Sequence, residues 1–235
     1  MDGVVLAAGE GTRMRPLTAE QPKALVTVAG QPLLSHGFDA LLSVGVERVV
    51  VVVGYRGDDI VAHYGDSYRG IPIEYVDQPE QLGTAHALTQ ALPAVEAPFV
   101  VLNGDNVCRA NLGAVVERHR ETDAAATLLV ETVSREEARA TGVVRTDGVG
   151  RVTGLVEKPD DPPSTLVNRG FYAFGDAIGP ALDRIEPSAR GEYEITDAVD
   201  DLLVRGHRVE TVTLDGWCHN VNEPGDRERV AEKLG

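Results

Sequence analysis

The sequence predicts an α/β fold, a mostly parallel sheet flanked by helices, and three observations predict it. Short β-branched runs alternate with helix-like stretches from the first residue onward. Arg48 to Val53 is almost pure valine, the composition of a strand covered on both faces. With 235 residues, 43% of them hydrophobic, the chain is long enough to bury one sizeable core, and a single domain is expected.

Val4 to Ala8 reads as a buried first strand. Leu33 to Val44 carries apolar residues at helical spacing, Arg48 to Val53 is the second strand, and Asp58 to Tyr64 returns to helix. Ile73 to Val76 and Phe99 to Leu102 are strands, with helices near Thr84 to Leu92 and Leu112 to Glu121. Ala126 to Glu131, Val143 to Arg145, Arg151 to Glu157 and Gly170 to Phe174 are further strands, so the second half is strand-richer. Asp160-Asp161-Pro162-Pro163 is a turn, because proline fixes φ and cannot donate to a ladder. No repeat or low-complexity segment interrupts the pattern.

Composition excludes several functions. No apolar stretch approaches the roughly 20 residues of a membrane span, and Val4 to Ala8 lacks the basic flank and length of a signal peptide. A soluble cytoplasmic protein is expected. Cys108 and Cys218 lack paired-motif spacing, which predicts reduced thiols. A formal charge of −15 argues against nucleic-acid binding, which relies on clustered Lys and Arg. Lysine is confined to Lys23, Lys158 and Lys233, and small Ala and Val dominate the apolar residues. The hypothesis that follows is adaptation to a high-salt cytoplasm, where an acidic surface stays hydrated and its self-repulsion is screened.

The strongest chemical signal is Leu6-Ala7-Ala8-Gly9-Glu10-Gly11-Thr12-Arg13-Met14-Arg15-Pro16-Leu17-Thr18, followed by Pro22-Lys23. Glycines let backbone N–H groups approach a polyphosphate, and the cations answer its charge. A turn with surface cations is the plain alternative, weakened by the scarcity of lysine elsewhere. The loop is neither a dinucleotide fingerprint, which needs a third glycine where Met14 stands, nor a P-loop, because no Gly-Lys-Ser/Thr follows.

This loop resembles the signature of the sugar-1-phosphate nucleotidyltransferases, and the resemblance runs through nearly the whole chain. It implies a Rossmann-like nucleotide half at about residues 1–110 and an interleaved strand-rich sugar half at about 111–235. It further implies that Leu6, Ala8, Gly9, Gly11 and Thr12 bind nucleotide and that Arg13 and Lys23 hold triphosphate and the leaving pyrophosphate. Gln78 and Glu80-Gln81-Leu82-Gly83-Thr84-Ala85-His86-Ala87 are similar to a uridylyltransferase base-recognition segment, although Thr84 could simply cap a helix.

Asn103-Gly104-Asp105-Asn106 follows an apolar strand, which places Asp105 at a strand C-terminus, where open α/β sheets bind ligands. In the family this aspartate holds Mg2+, and Gly104 lines the nucleotide site. Glu157-Lys158-Pro159 matches a motif whose glutamate meets sugar hydroxyls and whose lysine meets the sugar phosphate; a surface ion pair is the plain alternative. Asn168 and Gly142 resemble residues of the sugar pocket, and Gly191 to Asp197 resembles a segment leading into a helix, where Thr196 contacts substrate or caps. Asn220 stands where many relatives place a second metal-binding aspartate, and an amide oxygen still suits magnesium. Cys218 and His219 lack zinc-ligand spacing, and His36, His63, His86, His119 and His207 form no constellation.

The expected partners are a nucleoside triphosphate and a sugar 1-phosphate, with no nucleic acid and no membrane; homo-oligomer formation is left open. UTP with glucose 1-phosphate ranks first, dTTP with glucose 1-phosphate second and N-acetylglucosamine 1-phosphate third. A nicotinamide oxidoreductase lacks its third glycine here. A noncatalytic sugar-nucleotide sensor would be expected to have lost Arg13, Lys23 or Asp105, all of which are present.

Overall fold

Val4 and Val5 are both fully buried, one on each side of the pleat, and Asp2–Leu6 forms strand β1, covered on both faces. The structure is a computed structural model and describes residues 1–235. After β1 come two short three-ten turns, Thr12–Met14 and Lys23–Leu25, and a small hairpin of β2 (Thr27–Val28) and β3 (Gln31–Pro32). Then follow α1 (Leu33–Ser43), β4 (Arg48–Val53), α2 (Gly57–Tyr64), β5 (Ser67–Tyr68), β6 (Ile71–Asp77) and α3 (Thr84–Ala91). The chain continues through β7 (Phe99–Asn103), β8 (Asn106–Ala110), α4 (Leu112–Thr122), β9 (Ala126–Thr132) and α5 (Arg135–Ala138). Next are β10 (Gly142–Thr146), β11 (Val152–Glu157), β12 (Leu166–Phe174) and α6 (Ile178–Leu182). The last elements are α7 (Ile195–Val204), β13 (Val209–Thr213), β14 (Gly216–Asn220) and α8 (Pro224–Leu234).

The central sheet is mixed around a parallel heart. Strand β1 pairs in parallel with β4 on one side and β7 on the other, and β4 pairs in parallel with β6. Successive strands therefore first build outward from β1 through β4 and β6, then return to its opposite side at β7. That reversal opens a crevice beyond the C-terminal ends of β1 and β7. Strand β12 adds to β7 antiparallel, and β9 and β10 pair with β12, so one sheet runs through both halves of the chain.

The valines of β4 explain how both faces are sealed. Val50 and Val52 join a core with Val4, Leu88, Val101 and Val199, while Val49, Val51 and Val53 join another with Val5, Phe38, Leu102 and Val115. Helices α3, α6 and α7 cover the first face; α1, α2 and α4 cover the second. A third small core of Met14, Val26, Val28, Leu33, Val107, Val221 and Val230 ties the loop after β1 to β8, β14 and α8. Met14 thereby anchors the glycine-rich segment after β1.

One expectation is corrected. Cys108 and Cys218 stand opposite each other in the antiparallel β8–β14 pair and are joined by a disulfide. They are 110 residues apart in sequence, so their spacing carried no sign of the pairing. No helix is long and apolar enough to cross a membrane.

Candidate functional site

Leu6, Ala8, Gly9, Lys23, Gln78, Gln81, Gly83, Thr84, Gly104 and Asp105 line a single cleft of about 290 Å³ at the crevice beside β1 and β7. The sequence supplied these residues from four separate segments, and the strand order brings them together. Gly104 reaches β1 closely, its N–H donating to the Leu6 carbonyl at 2.9 Å. Gly11 and Thr12 lie at the start of the turn that carries Arg13, with the Thr18 hydroxyl donating to the Gly11 carbonyl at 2.8 Å.

Lys23 is the centre of the charged end. Its Nζ donates to Asp105 Oδ2 at 2.9 Å and to Asn222 Oδ1 at 2.9 Å, and Arg13 Nη2 donates to the same Asn222 oxygen at 3.2 Å. The Lys23 and Asp105 side chains are largely enclosed, 14% and 24% exposed. A carboxylate and an amide oxygen thus converge on one positive charge. That is a hard, oxygen-only donor set, the kind Mg2+ takes, and the lysine ammonium marks a position where a cation is stable. Asp105 and Asn222 fit the ion that the resemblance implied, whereas Asn220, the second residue it named, makes no hydrogen bond to Lys23 or Asp105. Asn220 pairs with Asn106 in the β8–β14 ladder, and the Val221 N–H donates to the Asp105 carbonyl at 2.8 Å, so β14 is fastened directly to the Asp105 turn. Asn222, which meets both cations, was missed by sequence reasoning. Its place is set by the α8 capping box, where Asp226 accepts from the Asn222 and Glu223 N–H groups at 2.8 Å each.

At the other end of the cleft, Gln78 is buried and Nε2 donates to the Gly83 carbonyl at 3.1 Å and to His86 Nδ1 at 3.0 Å. The amide nitrogen cannot accept, so His86 Nδ1 is the acceptor in this contact. Gly83 has φ 108°, and a side chain there would strike the Tyr193 backbone. Thr84 does not use its hydroxyl to cap its own helix; the Ile195 N–H donates to it at 3.3 Å.

Gly142, Glu157 and Asn168 form a second cluster. Asn168 Nδ2 donates to the Gly142 carbonyl at 3.3 Å, the Tyr172 hydroxyl donates to Asn168 Oδ1 at 2.6 Å, and the Thr196 hydroxyl donates to Glu157 Oε2 at 3.3 Å. Lys158 Nζ lies 3.3 Å from Glu157 Oε1 and keeps 41% of its side chain exposed. Lys158 has φ 42°, a conformation non-glycine residues rarely hold. The segment after Gly191 links the clusters: Glu192 lines the cleft, while Arg190 donates to Glu192 at 2.7 Å and to Glu194 at 2.5 Å. Glu194 is buried, and that burial, with the negative charge of Glu157 next, pushes its carboxyl up to about 7. Burial and the same Glu157 charge also raise Asp197. The roles of Glu192 and Glu194 were missed, although they lie in a segment the sequence had singled out.

Residues 2–219 match the nucleotidyl transferase family. The chain is 47% identical over 234 residues to the UTP–glucose-1-phosphate uridylyltransferase AglF of Haloferax volcanii, covering 100% of this chain and 96% of that protein. It is 40% identical to a glucose-1-phosphate thymidylyltransferase of Streptomyces griseus, covering 98% of this chain but 65% of the relative. In fold it is similar to a UDP-glucose pyrophosphorylase solved with UDP-glucose, with a TM-score of 0.89 at 23% identity, over 99% of this chain and 97% of that one.

Proposed function

We propose that this chain, which belongs to the nucleotidyl transferase family, joins UTP to glucose 1-phosphate and releases pyrophosphate. The observation that carries the reading is the meeting of Lys23 and Asp105, with Arg13 joined to Lys23 through Asn222, at one end of a cleft whose other end holds Gln78, Gln81 and Gly83. Cations beside base-sized polar contacts are what a nucleoside triphosphate needs. The 47% identity to a uridylyltransferase over the full chain supports UTP and glucose 1-phosphate, and the similarity to a thymidylyltransferase makes dTTP the second reading.

The reaction is one in-line displacement. An oxygen of the sugar phosphate bonds to the α-phosphorus, the bond from that phosphorus to the bridging β-phosphate oxygen breaks, and pyrophosphate leaves with the electron pair. The attacking oxygen is already anionic near neutral pH, so the site needs no general base; it must position two anions and offset their repulsion. Arg13 and Lys23 hold the triphosphate and the leaving group. Lys158 meets the incoming phosphate, while Glu157 and Asn168 accept and donate to sugar hydroxyls. Asp105, with Asn220 and the neighbouring Asn222, would hold Mg2+, which supplies further neutralisation of the phosphate oxygens. Charged phosphates do not cross membranes unaided, which supports a cytoplasmic reaction, and the charge of −15 supports a salt-adapted surface.

Pyrophosphate release measured across a panel of nucleoside triphosphates and sugar 1-phosphates tests this reading. UTP with glucose 1-phosphate should give the highest kcat/KM and both pyrimidine nucleotides should far exceed ATP and GTP. Equal use of a purine nucleotide would overturn the base assignment.

A further inference from the structure

Asn103 ends β7, after the wholly buried Val100, Val101 and Leu102. A carboxamide at the end of so apolar a strand needs partners, yet its Oδ1 is enclosed and makes no hydrogen bond. Buried acceptors are almost always paired, and exceptions concentrate at functional sites. Asn106, close by, is different: its Nδ2 donates to the Arg169 carbonyl at 2.6 Å. The Asn106 oxygen is also unpaired, but that side chain is wholly buried and outside the cleft.

Asn103 lines the same cleft as Lys23, Gly104 and Asp105. Its other side lies on Gly170. A Cβ at Gly170 would sit 2.5 Å from Asn103 Nδ2, and the φ of +65° there disfavours side chains independently. The Gly170 N–H donates to Asn168 Oδ1 at 3.1 Å, and the β12 register is irregular between Asn168 and Tyr172. Asn103 therefore stands between the Asp105–Lys23 centre and the Asn168–Glu157 cluster.

We propose that Asn103 is a specificity-determining residue whose carboxamide bonds the hydroxyl next to the anomeric carbon of the sugar 1-phosphate. This rests on the reaction proposed above. With the reacting phosphorus at Lys23 and Asp105 and the sugar ring at Asn168 and Glu157, the part of the substrate between them is C1, flanked by the ring oxygen and C2, and of these only C2 bears a group that can donate to Oδ1. Phosphate oxygens only accept, so they cannot satisfy Oδ1. A hydroxyl can donate to Oδ1 or accept from Nδ2. A sugar that lacks any donor at C2 leaves Oδ1 unpaired. Asn103 thereby discriminates against 2-deoxy sugars.

The test crosses the residue with the hydroxyl. Wild type, Asn103→Leu and Asn103→Ala are assayed with UTP and either glucose 1-phosphate or 2-deoxyglucose 1-phosphate, with melting temperatures recorded alongside. Wild type should prefer glucose 1-phosphate by about 10- to 100-fold in kcat/KM, the scale of a site built to bond a hydroxyl that is then absent. Both variants should lose that preference, falling on glucose 1-phosphate while staying within about twofold on the deoxy sugar and on the KM for UTP. Parallel losses on both sugars would make Asn103 merely structural and overturn the proposal. A wild type that uses both sugars equally overturns it without any variant. A wild type inactive with every sugar 1-phosphate would overturn the parent reaction, and this assignment with it.

Discussion

Adding one methyl group at Gly142 should separate sugar binding from nucleotide binding. A Cβ there would fall on Asn168 Nδ2, 2.7 Å from Thr196 Cγ2 and 2.9 Å from Glu157 Oε2. Gly142 holds no left-handed conformation, so the effect of Gly142→Ala is steric, with no backbone strain added. Asn168 cannot yield freely, because the Gly142 carbonyl and the Tyr172 hydroxyl hold its two ends. Displacing it breaks at least one buried hydrogen bond, about 1 kcal/mol, and overpacking commonly costs about 1–3 kcal/mol in total. For a chain of this size that is a melting-temperature drop of about 2–12 °C. If about 1.4–2.8 kcal/mol of the displacement falls on sugar contacts, kcat/KM for the sugar phosphate drops about 10- to 100-fold. Initial rates of pyrophosphate release, with each substrate varied in turn, should show the KM for UTP within about twofold of wild type. Equal changes for both substrates, or none for either, would refute the placement of the sugar beside Gly142, Glu157 and Asn168.

Three further expectations concern Lys158, Glu194 and the acidic surface. Lys158→Ala should raise the KM for the sugar phosphate more than that for UTP, and unchanged sugar-phosphate kinetics would leave Lys158 as an ordinary surface cation. Glu194 has a folded-state carboxyl raised to about 7 from 4.5. The unfolded chain therefore releases this proton first, and the carboxyl lowers stability as pH rises through that window. Glu194→Gln keeps the neutral form, so its melting temperature should match wild type near pH 4.5 and exceed it increasingly toward pH 8; a constant difference would contradict the assignment. Activity should persist or rise as salt is brought to molar levels, given the charge of −15, and steady loss across that range would sink the salt-adaptation hypothesis.

How much was legible in the sequence depended on whether a signal was local. The valines of β4 alternate between two cores, so their run announced a doubly covered strand, and apolar Phe99–Leu102 ahead of Asp105 announced a carboxylate at a strand end. The β8–β14 pair was not legible, because Asn106–Ala110 and Gly216–Asn220 are short, mixed in polarity and far apart in sequence. The disulfide was hidden with it, and the approach of β14 to Asp105 was implied only by the resemblance, which set Asn220 beside the metal. Helix α8 escaped for a related reason: only Val230 of its residues is buried, so it has no apolar stripe to read. Asn222 depended on that helix and could be signalled only by the Glu223 and Asp226 of its capping box. The resemblance to a family supplied roles for Glu157 and Asn168, whereas the buried charge of Glu194 became visible only when α7 was packed against β11.

Asp105 carries the central role in the proposed reaction. Asp105→Asn keeps the shape of the side chain and can still accept from Lys23, but it removes the negative charge that would anchor Mg2+ beside Asn220 and Asn222. Loss of one preorganised electrostatic contact commonly costs about 10²- to 10³-fold in rate. The measurement is pyrophosphate release against magnesium concentration for wild type, Asp105→Asn and Asn220→Asp, with folding checked by melting temperature. Asp105→Asn should remain folded, lose at least about 100-fold in rate and need more magnesium, while Asn220→Asp should do less harm and can tighten the metal response. A folded Asp105→Asn protein with wild-type rate and magnesium dependence would contradict the metal assignment and the mechanism built on it.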